Sequence, residues 1–201
     1  MMADPHIQPP CDMELPKGHE IVDGALVRKA MPNIDHGSVQ LALGAALVPY
    51  RKTWVFGSEV QVLFEPGQTF LPDLAGWRRD RGEIPERGSV PVTVAPHWVC
   101  EILSESTAFR DRGTKQNTYH RAGVEHYWLL DPLARSLIVM RWKPKGWHVL
   151  AVEGQSSGQA MRGEAAPERS SGVAIDLIGD EVVYAPPFAD VALALSELFA
   201  V

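Results

Sequence analysis

The stretch His97-Trp98-Val99-Cys100-Glu101-Ile102-Leu103-Ser104 decides the fold, read with Pro72-Asp73 upstream and Lys115 downstream. It is mostly apolar, carries a single carboxylate and runs into a Ser/Thr-rich segment. That pattern predicts a short buried strand leading to a helix start. A lone Glu in such a strand is unfavourable unless a partner balances its charge. A metal ion is one such partner. Side chains alternate along a strand, so Glu101 points with Val99 and Leu103, away from Trp98, Cys100 and Ile102. By the same alternation, Asp73 in Leu71-Pro72-Asp73-Leu74-Ala75-Gly76-Trp77 shares a face with Leu71 and Ala75. Two carboxylates on neighbouring strands can meet at one point and hold a hard cation through oxygen. The two acids are 28 residues apart, room for one strand, a loop and the next strand.

Outward from this pair, Glu20-Ile21-Val22-Asp23-Gly24-Ala25-Leu26-Val27 predicts a hairpin, because Asp-Gly between short apolar runs is a strong turn signal. Residues from Asp35 to about Val48 read as a helix. Asn33 or Asp35 is its cap, and Val39, Leu43, Ala46 and Leu47 form its apolar face. His36, in the first turn, reads as a capping or surface residue. Thr53 to Phe64 is strand-like, broken at Gly57-Ser58, and Glu65-Pro66-Gly67-Gln68 is a turn. The next strand is expected to carry Pro72-Asp73. Arg78 to Ser89 is a charged loop, either solvated or lying over a nucleic-acid cleft.

Beyond the Glu101 strand, a helix over Ser106–Ala122 is predicted. In it Asp111, Lys115 and Tyr119 recur every four residues on one face, and Gly123 is a natural stop. His126 to Leu130 reads as another buried strand ended by Asp131-Pro132. Leu137–Trp142 and Trp147–Val152 form a further pair around Pro144-Lys145-Gly146. Val182–Ala185 is a short strand, and Val191–Phe199 a closing helix capped by Asp190. Trp77, Trp98, Trp128 and Tyr127 are expected in the core rather than on a base-stacking surface.

A chain of 201 residues with 45% hydrophobic and 22% charged residues fits one globular domain with a sizeable core. That domain is expected to span residues 18–201, after a flexible N-terminus over 1–17 and with a flexible, Gly/Ser-rich insertion over 153–172. The net charge of −6 gives no general attraction for nucleic acid, so any such binding must come from a local cleft. Cys11 and Cys100 show no zinc-ligand spacing and are not expected to pair, which fits a reducing, cytoplasmic setting. No apolar run is long enough to span a membrane, and the first residues do not read as a signal peptide.

At Pro72-Asp73 and Glu101-Ile102-Leu103-Ser104 the chain resembles the PD-(D/E)XK nuclease superfamily. Within it, the chain resembles the Uma-two family of putative restriction endonucleases. Two longer strings carry the likeness: Phe70 to Arg78, and the run from Glu101 through Asp111, Lys115, Tyr119, Gly123-Val124 and Tyr127-Trp128 to Asp131-Pro132. The resemblance implies an α/β fold, a restriction-endonuclease-like mixed β-sheet flanked by helices. It implies a metal-dependent endonuclease hydrolysing DNA with Mg²⁺ or Mn²⁺. Asp73, Glu101 and the backbone carbonyl of Ile102 would be the ligands, and Asp73, Glu101 and Lys115 the catalytic residues. Glu20 is either an edge-strand residue in solvent or an additional member of the site. The superfamily pattern places a lysine two residues after the Glu, where this chain has Leu103. Lys115 is the replacement the resemblance implies; the other reading is an Asp111–Lys115 surface pair. Cutting both strands of a duplex takes two active sites, so a homodimer is expected. The alternative is a catalytically inactive protein of the same fold that binds nucleic acid or a protein partner.

Overall fold

A computed structural model describes residues 14–104, 111–150 and 182–200. The predicted hairpin forms β1 (His19–Val22) and β2 (Ala25–Arg28). Asp23 and Gly24 at its tip have φ of 51° and 79°, the double left-handed turn that matches strand twist in a tight hairpin. The remaining strands are β3 (Trp54–Gly57), β4 (Val62–Glu65), β5 (Gln68–Phe70), β6 (Leu74–Arg78), β7 (Trp98–Ile102), β8 (His126–Asp131), β9 (Ser136–Lys143), β10 (Gly146–Leu150), β11 (Val182–Val183) and β12 (Leu193–Ala194). The helices are α1 (Ile34–Ala46), α2 (Gln116–Arg121) and α3 (Leu195–Leu198).

The large sheet has the order β10-β9-β8-β7-β6-β3, and a smaller one the order β2-β1-β5-β4. Within the large sheet β7 and β8 run parallel and the other pairs antiparallel. A parallel pair needs a crossover, and α2 lies in the segment that makes it. All five residues of β7 are buried, as expected for a central strand covered on both faces.

The alternation read from the sequence holds through this strand. Trp98, Cys100 and Ile102 face the larger core with Val39 and Leu43 of α1, Leu47 just after it, Trp128 and Phe188. Phe188 lies at the centre of this core, with ring centroids 5.0 Å from Trp54, 5.1 Å from Trp98 and 5.7 Å from Trp128. Val99 and Leu103 face a second core with Phe70, Tyr119 and Tyr127. Each face of β7 is therefore covered by a different helix, α1 on one side and α2 on the other. The four aromatic residues assigned to the core are all buried.

Three local expectations are corrected. Pro72-Asp73 is not inside a strand: it links β5 of the small sheet to β6 of the large one. Proline has no N–H for a ladder, and the chain uses that point to change sheets. The helix after β7 is not regular where described, since a π turn over Asp111–Lys115 precedes α2. The closing helix is only α3, because Leu193 and Ala194 pair with Val183 and Val182 instead. The charged loop follows β6 from Arg78, the end of that strand opposite Asp73. The proposed insertion over 153–172 and the start of the Ser106–Ala122 helix lie outside the described residues. Leu15, inside the N-terminal segment expected to be flexible over 1–17, is instead buried and exchanges hydrogen bonds with Gln61. No helix among the described residues is long and apolar enough to cross a membrane.

The core assignment is tested by comparing two leucines of one helix. Leu43 is fully buried and Leu41 is 77% exposed. Leu43→Ala is expected to lower unfolding free energy by about 2–5 kcal/mol, and Leu41→Ala by less than about 0.5 kcal/mol, both read by urea denaturation.

Candidate active site at the ends of the central strands

The start of β6 and the end of β7 lie side by side, because Leu74 pairs with Cys100 in an antiparallel register. Asp73 and Glu101 therefore come to the same end of the sheet. Both are 1% exposed. They line one pocket with Glu20, Lys29, His36 and Lys115, and Ile102 also faces it.

Asp73 is held from three directions. Its Oδ2 accepts the Ile102 amide at 2.7 Å, a bond possible because residue 73 stands in the break between strands. Its Oδ1 accepts from Lys29 Nζ at 2.6 Å. His36 Nε2 stands 3.2 Å from the same oxygen. Burial alone would raise this carboxyl, but the His36 imidazole and the Lys29 ammonium outweigh it and hold the group at about 2, below its ordinary 3.8. Lys29 feels the converse. Burial disfavours its charge, yet Asp73 and Glu101 raise it above the usual lysine value.

Glu101 is served from the other face of the sheet. Lys115 Nζ donates to its Oε1 at 3.1 Å, and the Tyr119 hydroxyl donates to the same oxygen. Lys115 and Tyr119 share a helical face, as their spacing requires. Burial and the neighbouring Glu101 push the Tyr119 hydroxyl well above its ordinary range, so it remains a donor. Lys115 also stands 3.0 Å from Glu20 Oε1. Glu20 is 1% exposed and accepts the Leu71 amide at 2.9 Å. The surface-pair reading of Lys115 and the solvent-edge reading of Glu20 are thereby set aside: both are buried and face each other. Leu103, at the usual lysine position, is packed in the second core.

Gln40, Lys29 and Glu59 were not named from the sequence, and His36 was read there only as a capping or surface residue. His36 is buried, not a surface histidine, because Asn33 caps α1 and turns its first residues onto Asp73. Gln40, one turn on, donates to the Asp73 carbonyl at 2.8 Å and fixes that docking. Lys29 is drawn inward after β2 as its amide bonds to the Gly18 carbonyl. Glu59 has φ of 51°, uncommon for a non-glycine residue, and its amide donates to the Pro72 carbonyl.

The donor set suits a divalent cation. Ligand atoms of His36, Glu59 and Asp73 all lie within 4.8 Å of one another. His36 Nε2 is buried and makes no aligned hydrogen bond, although it stands close to Asp73. A ring nitrogen and a carboxylate oxygen 3.2 Å apart are donor atoms of the kinds a divalent ion takes. Glu101 lies outside that tight group and is engaged by Lys115 and Tyr119. Formally, four carboxylates (Glu20, Glu59, Asp73, Glu101) meet two ammonium groups (Lys29, Lys115), an excess of two negative charges that one divalent ion would balance.

Because the folded-state value for Asp73 lies below the unfolded one, its contribution is fully present above about pH 4 and is lost as pH falls toward about 2. It amounts to about 2 kcal/mol. Without added metal, Asp73→Asn is expected to show a shallower loss of unfolding free energy across that window than the parent, as read by denaturant titration at fixed pH.

Comparison with known proteins follows the same lines. The family model Uma2, described as putative restriction endonuclease, matches residues 9–175. Among solved structures, the fold is similar to that of a protein from Anabaena variabilis ATCC 29413 described as a putative nuclease belonging to DUF820. The TM-score is 0.62 at 20% identity, over 90% of this chain and 89% of that one. No curated protein matches the sequence. The family match spans most of the chain and includes Glu20, Asp73, Glu101 and Lys115: the chain belongs to the Uma2 family of putative restriction endonucleases.

Proposed function

We propose that the protein is a divalent-metal-dependent endonuclease that hydrolyses phosphodiester bonds of DNA. The observation that carries this reading is the convergence of Asp73, Glu101 and Lys115 on one buried pocket at the ends of adjacent strands. Family membership supports the reaction class.

Asp73, Glu101 and the Ile102 carbonyl would hold Mg²⁺ or Mn²⁺, with His36 and Glu59 as further donors. Such an ion, when bound, supplies Lewis acidity and lowers the pKa of a coordinated water. The chain's own groups do the rest. The Ile102 amide and Gln40 fix Asp73 against rotation. Tyr119 holds one oxygen of Glu101. Lys115 places a positive charge at the pocket, suited to stabilising the attacking oxygen or the charge building on phosphorus. Glu20 orients that ammonium and takes over the support that a helix lysine lacks when no strand holds it.

Cutting both strands of a duplex calls for two such pockets, so the active form is a homodimer. Light scattering at high micromolar concentration is expected to give twice the chain mass, and a monomer there counts against this part of the reading.

Activity is tested on supercoiled plasmid with Mg²⁺ or Mn²⁺, with and without chelator. Asp73→Asn is the variant of choice, because Asp73→Ala would strand the Lys29 ammonium and the Ile102 amide and disturb the fold. It is expected to abolish cleavage. Lys115→Gln keeps a donor for Glu20 and Glu101. It is expected to retain Mn²⁺ binding by calorimetry and to slow cleavage about a hundred- to thousand-fold. Cleavage by Lys115→Gln at the parent rate removes Lys115 from the chemistry. A parent that binds DNA but never cuts it supports instead an inactive nuclease fold acting as a binding protein.

A further inference from the structure

Lys29 is a second buried lysine at this pocket, separate from Lys115 and reached from a different part of the chain. Its side chain is 10% exposed. Its Nζ lies 2.6 Å from Asp73 Oδ1, 2.8 Å from the Leu71 carbonyl and 3.5 Å from Glu59 Oε1. Asp73 and Glu59 are two of the three residues whose ligand atoms cluster within 4.8 Å. The third, His36, aims a buried ring nitrogen without an aligned hydrogen bond at the oxygen Lys29 holds. The ammonium therefore bridges the oxygens a cation would take. Two positive charges cannot share those oxygens at contact distance without strong repulsion, least of all in a buried setting.

We infer that Lys29 is a resident counter-cation of the metal centre, bridging Asp73 and Glu59 until a divalent ion takes those oxygens and displaces its ammonium. This rests on the metal-site part of the proposed function. Its consequence runs opposite to that of a supporting residue. A lysine that merely shapes the site weakens metal binding when removed. A competing lysine strengthens it. The geometry also gives the ammonium a way out: Glu59, at 38% side-chain exposure, is the open member of the group, while Asp73 is shut in. The long aliphatic stem of Lys29 lets the charge swing outward past Glu59 without moving its backbone.

The experiment is calorimetric titration with Mn²⁺ of the parent and of Lys29→Met, Lys29→Gln and Lys29→Arg, with folding checked by circular dichroism. Lys29→Met and Lys29→Gln are expected to bind Mn²⁺ roughly tenfold or more tightly than the parent. Lys29→Arg, which keeps the charge, is expected to gain nothing. Unchanged or weaker binding in the two neutral variants overturns the inference. The unaltered protein gives a check that does not depend on any variant folding. Amine acetylation followed by mass spectrometry is expected to leave Lys29 protected without metal and to label it at saturating Mn²⁺; continued protection overturns the inference. Plasmid cleavage in parallel separates the two proposals. A parent that cuts while the neutral variants bind Mn²⁺ no better retires the role of Lys29 alone. Tighter binding with no cleavage by any protein retires the nuclease reading alone. No Mn²⁺ binding by any of them retires both.

Discussion

Everything at this pocket follows from the burial of three carboxylates, Glu20, Asp73 and Glu101, each 1% exposed. An ionised carboxylate removed from water is tolerated only when charge and hydrogen bonds replace its hydration. Here the replacements come from the far corners of the chain. Glu20 draws on the Leu71 amide, 51 residues away. Asp73 draws on Lys29, 44 residues before it, and on the Ile102 amide, 29 residues after. Glu101 draws on Lys115 and Tyr119. Because each partner sits on a different element, the hairpin, α1, the two central strands and α2 must all be in place together. The acids are thus constraints on the fold as well as members of a site.

The two-faced sheet makes that convergence possible. The core under α1 and the core under α2 are separate apolar clusters, and β7 contributes alternate residues to each. The polar groups are confined to the strand ends. His36 and Gln40 arrive from the α1 side, and Lys115 and Tyr119 from the α2 side. The apolar layers keep the strands rigid, which holds the carboxylates in register. The break at Pro72-Asp73 lets one carboxylate turn across to the neighbouring strand.

Much of this was legible in the sequence, and the rest was hidden for identifiable reasons. Strand alternation places Glu101 and its neighbours correctly, because the period of two survives any tertiary context. The four-residue spacing of Lys115 and Tyr119 survives likewise. Glu20 stayed ambiguous because a hairpin strand reads the same whether its side chain faces solvent or a buried pocket. His36 looked like a capping or surface residue because its burial depends on how α1 docks, a contact made through Gln40 and Asp73. Lys29 lies just beyond the predicted hairpin, and the bond of its amide to the Gly18 carbonyl, on the other side of that hairpin, directs it inward. Glu59 carried no signal at all, since a left-handed glutamate is a product of its surroundings. The closing helix was overcalled because Leu193 and Ala194 suit a strand once Val182 and Val183 are beside them.

The position of the lysine follows from where β7 ends. A lysine at residue 103 would have to extend from a side chain position packed in the second core with Phe70, Val99 and Tyr119. Leu103 completes that cluster, and its amide continues the ladder to the Leu130 carbonyl at 2.7 Å. The charge must then come from the element covering the same face, which is the π turn and α2. A side chain at 115 ends that turn and lies over Phe70, its ammonium 5.7 Å from the ring. From there it meets Glu101 and Glu20 at once, a geometry a strand residue next to Glu101 would not reach so evenly. The apolar core gains a leucine, the pocket keeps its ammonium, and Glu20 becomes part of the site because a lysine approaching from the helix needs a second anion to hold it.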